Sequence, residues 1–108
     1  MIAPMDRLFA TIAARREAGD AARSYTARLL SEGIAKCAKK FGEEAVETAL
    51  AAVSGDKDHL ATESADVLYH LAVLWAAAGI TPDDVYAKLA AREGQSGLAE
   101  KANRPDKP

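Results

Sequence analysis

A chain of 108 residues has room for one domain with one modest core. Its net charge of −2 excludes the basic footprint of a duplex nucleic-acid binder. Its single cysteine, Cys37, excludes an internal disulfide and a cysteine-based zinc site, and fits best as a small apolar residue on a helix face. Apolar residues make up 49% of the chain, many of them alanine, and runs of β-branched residues are absent, so helices are expected and a sheet is not. Asp6, Arg7 and Arg15 come too early for a secretory apolar core. The longest apolar run, Val67 to Ile80, falls short of the roughly 18 residues that span a bilayer, so a cytoplasmic protein without a membrane partner is expected.

The first helix is expected over residues 5 to 18, with Leu8, Phe9, Ile12 and Ala13 in one stripe and Gly19-Asp20 as its stop. Asp6 near its start and Arg15 and Arg16 near its end suit the helix dipole. After a connector, Ser24 or Thr26 caps a short helix, Ala27 to Glu32, that Gly33 kinks or breaks. A long helix follows over residues 34 to 53. Its polar face carries Lys36, Lys39, Lys40, Glu43, Glu44 and Glu47, and Gly42 in mid-helix suggests close approach of a backbone or ligand.

Ser54-Gly55-Asp56 reads as a turn into a second long helix, residues 57 to 78. That helix is apolar on much more than one stripe, at Leu60, Val67, Leu68, Leu71, Val73, Leu74 and Trp75. It must be buried on several sides, as the centre of one bundle or, in so small a chain, against a partner subunit. Gly79 ends it. Thr81-Pro82-Asp83-Asp84 starts a last helix that runs to about Glu93, and Gly94 closes the domain, residues 1–94. Residues 95–108 form a polar tail.

The two long helices each carry an acid-x-x-acid step, Glu44-x-x-Glu47 and Glu63-x-x-Asp66. A short turn makes them an antiparallel hairpin. Centred on Gly55, Glu47 mirrors Glu63 and Glu44 mirrors Asp66, at about 12 and 16 Å from the turn for a rise of 1.5 Å per residue. Four carboxylates facing one another repel unless a cation lies between them, and an all-oxygen set selects Mg²⁺ first, then Mn²⁺ or Ca²⁺. Lys40, which mirrors His70, and its neighbours Lys36 and Lys39 add positive charge of the kind a phosphate chain needs. Glu44 and Glu47 alone are better explained as a solvated face with ordinary i,i+4 ion pairs, such as Lys40 with Glu44 and Lys39 with Glu43. Glu63 and Asp66 weigh the other way, because they lie in the most apolar helix of the chain.

Three segments then carry a resemblance: Ser24-Tyr25-Thr26-Ala27-Arg28-Leu29-Leu30, Lys39-Lys40-Phe41-Gly42-Glu43-Glu44-Ala45-Val46-Glu47, and Glu63-Ser64-Ala65-Asp66-Val67-Leu68-Tyr69-His70-Leu71. Together with the tail from Ser96 to Arg104, they are similar to the phosphoribosyl-ATP pyrophosphatase family, within the all-α MazG-like pyrophosphohydrolase superfamily. The tail departs from that family's commoner residues at Ala99 and Asn103.

The resemblance implies an all-α, MazG-like bundle of about five helices completed by a homodimer or higher oligomer. It implies Mg²⁺-dependent hydrolysis of phosphoribosyl-ATP to phosphoribosyl-AMP and pyrophosphate, the second step of histidine biosynthesis. On that reading Glu44, Glu47, Glu63 and Asp66 hold Mg²⁺, with Mn²⁺ as a substitute. Glu43 or Glu47 is the base for the attacking water, Lys39 and Lys40 stabilise the phosphates, and Ser24, Tyr25 and Thr26 contact the substrate. The rivals are a house-cleaning nucleoside triphosphate pyrophosphatase using the same acids, and a non-enzymatic helical interaction module. A di-iron bundle is disfavoured, since neither His59 nor His70 has a glutamate three residues before it.

Overall fold

The computed structural model describes residues 3–94 together with Gly97, Lys101 and Arg104. The expected tail, 95–108, otherwise lies outside the described residues. Five α-helices follow in order: α1 Pro4–Ala18, α2 Tyr25–Ser31, α3 Ile34–Ser54, α4 Lys57–Ala78 and α5 Pro82–Ala91. No strand occurs among the described residues. No single helix there is long and apolar enough to cross a membrane.

Local chemistry sets the boundaries. Ser24 Oγ accepts from the Ala27 amide, so α2 starts at Tyr25, two residues before the expected Ala27. Gly33 has φ 93° and separates α2 from α3 as a full break, because that conformation lies outside helical space for any residue with a side chain. Gly55 closes α3 at φ 82°, and Asp56 Oδ1 accepts from the His59 amide to open α4. Thr81 and Asp84 exchange side-chain and backbone bonds in a capping box that starts α5. That helix ends at Ala91, short of the expected Glu93.

The α3–α4 hairpin is the most extensive packing in the molecule. α1 and α2 close over the C-terminal half of α4, and α5 rests on α1. The core gathers Ile12, Leu29, Leu30, Cys37, Ala72, Val73 and Ala76. Arg16, at the end of α1, donates to the Ala76 carbonyl at 2.8 Å and satisfies a C-terminal acceptor of α4.

The centre of α4 is buried at His70, Ala72, Val73, Trp75 and Ala76. A second apolar face finds no cover among the described residues. Val46, Leu50 and Val53 recur at helical spacing on α3 and are 61%, 64% and 86% exposed, and Leu68 on α4 is also exposed. Nothing among the described residues lies within 4 Å of where a Cβ on Gly42 would sit, so close approach of their backbone does not account for this glycine.

Candidate metal and phosphate site

The hairpin register brings three of the four expected carboxylates together. One oxygen each of Glu44, Glu63 and Asp66 lies within 4.8 Å of the others. Thr48, one residue after Glu47, ties the register. Its hydroxyl is 2.8 Å from the Glu44 carbonyl and 3.1 Å from the Glu63 carbonyl, so its one hydrogen is shared between the two acid-bearing turns. Glu47 lies outside that trio and shares with Glu63, His59, Leu50 and Ala51 the lining of an open cleft of about 330 Å³.

The electrostatics are those of a cation site. Glu44 is held above the ordinary carboxylate range, first by desolvation, then by the hydrogen bond and charge of Glu47, with Asp66 adding to the repulsion. His70 opposes the shift. Glu63 has a side chain only 17% exposed; its Oε1 lies 3.3 Å from His59 Nε2, while its Oε2 is buried with no hydrogen-bond partner. An unpaired buried carboxylate oxygen beside two more carboxylates fits a hard divalent cation, which would supply the missing partner. The expectation of burial holds for Glu63, and not for Asp66, which is exposed.

The remaining expected residues divide. Lys40 pairs with Glu43 at 3.5 Å, and Glu43 is exposed. Lys39 is exposed. Lys36 pairs with Glu32 at 3.8 Å. Of the Ser24-Tyr25-Thr26 segment, Ser24 is occupied as the helix cap and Thr26 is buried, its hydroxyl bonded to the Tyr69 hydroxyl. Tyr25 is the exposed member, at 44%. Burial pushes the Tyr69 phenol up, so its O–H stays in place at neutral pH.

Two residues gain tasks that the sequence did not announce. Thr48 looked like any threonine in a helix, where a hydroxyl bond to the i−4 carbonyl is ordinary. Its second, cross-helix acceptor appears only in the folded hairpin. His70, ambiguous in sequence, is buried, with Nδ1 2.9 Å from the Asp66 carbonyl and Nε2 3.3 Å from the Tyr25 hydroxyl.

Comparison with known proteins adds an independent line. Residues 5–93 match the family model described as phosphoribosyl-ATP pyrophosphohydrolase. The chain is similar to the phosphoribosyl-ATP pyrophosphatase of Parvibaculum lavamentivorans, 59% identical over 95% of this chain and 94% of that protein. It is also similar to the protein of that name from Azospirillum brasilense, 60% identical over 94% of this chain and 91% of the relative. The one from Jannaschia sp. is 56% identical over 94% and 98%.

Proposed function

The chain belongs to the phosphoribosyl-ATP pyrophosphohydrolase family and hydrolyses the phosphoanhydride of phosphoribosyl-ATP in histidine biosynthesis, and we propose that it does so at the acid cluster between α3 and α4. The observation that carries this placement is the buried, unpartnered Glu63 Oε2 beside Glu44 and Asp66.

Glu44, Glu63 and Asp66, with Glu47 beside them, would hold Mg²⁺ or, as a substitute, Mn²⁺. When bound, the ion neutralises phosphate charge and favours in-line displacement of pyrophosphate. Glu47 takes the proton from the attacking water. It is preferred over Glu43 because it lines the cleft and its charge acts on Glu44, whereas Glu43 is engaged by Lys40. Lys39 and Lys40 offset charge on the phosphates. Tyr25 contacts the nucleotide from α2, with Ser24 and Thr26 setting the turn that presents it.

The functional unit is a cytoplasmic homodimer. The exposed stripe Val46-Leu50-Val53 borders the cleft, since Leu50 belongs to both, so a second copy laid on that stripe would also wall the site. The test is pyrophosphate release from phosphoribosyl-ATP with and without Mg²⁺, alongside a panel of deoxynucleoside triphosphates. Mg²⁺-dependent release from phosphoribosyl-ATP in clear preference to the panel is expected. The reverse preference would mark a house-cleaning pyrophosphatase instead.

A further inference from the structure

Tyr69 and His70 follow one another on α4, immediately beyond the turn that carries Asp66, and both reach α2. The Tyr69 hydroxyl bonds to Thr26 Oγ1. The Tyr25 hydroxyl lies 3.3 Å from His70 Nε2, and His70 Nδ1 lies 2.9 Å from the Asp66 carbonyl. A carbonyl only accepts, so Nδ1 carries a hydrogen; in the neutral ring Nε2 is then bare and accepts from the Tyr25 O–H. The rings close the cluster. Tyr25 stacks on Tyr69 with centroids 6.4 Å apart, and Tyr69 meets His70 edge-on at 5.0 Å.

α2 has seven residues, too few to hold a helix in place by itself. Leu29 and Leu30 anchor its second half in the core. The polar links of its first turn run to Tyr69 and His70, and through His70 to the backbone of Asp66.

We infer that Tyr69 and His70 are positioning residues for the hydrolysis, holding the Tyr25 turn of α2 in fixed register with the carboxylates of α4. Substrate contact and metal ligands then belong to one rigid frame. The inference rests on the reading of the acid cluster and of Tyr25 given above.

The test is steady-state kinetics on full-length Tyr69→Phe and His70→Asn, with phosphoribosyl-ATP and Mg²⁺ each varied. Asparagine keeps a donor for the Asp66 carbonyl and loses the link to Tyr25. Each variant is expected to raise KM about fivefold, the worth of one hydrogen bond, with kcat within about twofold and the Mg²⁺ half-saturation unchanged. The double variant falls short of the product of the two, because both links hold one turn. His70→Gln, whose amide reaches the position of Nε2, recovers part of the loss.

A fall in kcat at unchanged KM would overturn the inference by placing these groups in the chemistry. So would a lowered Tm with both constants unchanged, which marks a purely structural contact. If His70→Asn does not fold, Tyr69→Phe, which removes one oxygen atom, carries the same test. Failure of the underlying reading has a different signature: Glu63→Gln with full wild-type turnover removes the reaction site and the positioning role together.

Discussion

The Thr48 hydroxyl sits 3.1 Å from the Glu63 carbonyl, a side-chain bond from α3 to the backbone of α4 at the level of the acid cluster. Thr48→Val keeps the shape and removes the bond. It should cost about 1 kcal/mol in urea unfolding. It should also weaken Mg²⁺ activation about 10-fold or more, as loss of groups that orient metal ligands does. Thr48→Ser should restore both, which Mg²⁺ titration of activity will show.

Glu44→Gln should separate stability from function. In the metal-free protein the folded-state pKa of Glu44 lies above its unfolded value, near 4.5. Its contribution to stability is therefore present below about pH 4.5 and lost as pH rises through the folded value. At neutral pH the ionised group works against the fold. Glutamine resembles the protonated form, so the variant should melt higher than wild type in EDTA at pH 7, with the gap narrowing as pH falls toward 4.5. Its turnover should fall on the order of a hundredfold or more, the usual scale for a lost electrostatic contact to a transition state.

Divalent metal should stabilise the fold by mass action. At a hundred times its dissociation constant, Mg²⁺ should add about 2.7 kcal/mol to the wild-type protein. Glu63→Gln should lose most of that response, since it removes the charge of the acid whose Oε2 lacks a partner. Thermal melts in EDTA and in graded Mg²⁺ measure both.

Val53→Glu should leave the folded monomer within about 0.5 kcal/mol of wild type, because the side chain is 86% exposed. It should nevertheless convert a dimer to monomers by light scattering and lower activity with it. An unchanged dimer would move the interface off the Val46-Leu50-Val53 stripe.

Much of the hairpin was legible from the residues. Residues 34 to 78 hold two long periodic runs parted by Gly55 and Asp56, and a turn that short makes them antiparallel, so counting places Glu44, Glu63 and Asp66 at one level of the hairpin. Counting also places Glu47 with them, which the structure leaves outside the trio, because counting fixes height and not which way a side chain faces. The phase of α2 was not legible. Seven residues give less than two turns, too few for periodicity to say that Thr26 faces in and Tyr25 out. The long-range partners were equally silent: Arg16 on the Ala76 carbonyl and Tyr25 on His70 join parts of the chain that no local pattern relates. For Gly42, a mid-helix glycine, the sequence could not say which neighbour it serves, and none of the described residues comes within 4 Å of where its Cβ would sit.

All the clustered carboxylates come from one continuous run of chain, folded back on itself at Gly55 and Asp56. Closing a loop of about twenty residues costs little chain entropy, so the site can form as soon as the hairpin zips. Sites whose ligands come from distant segments must wait for the last contacts of folding. Here the chain up to Ala78 already carries every carboxylate of the cluster, and α5 contributes none.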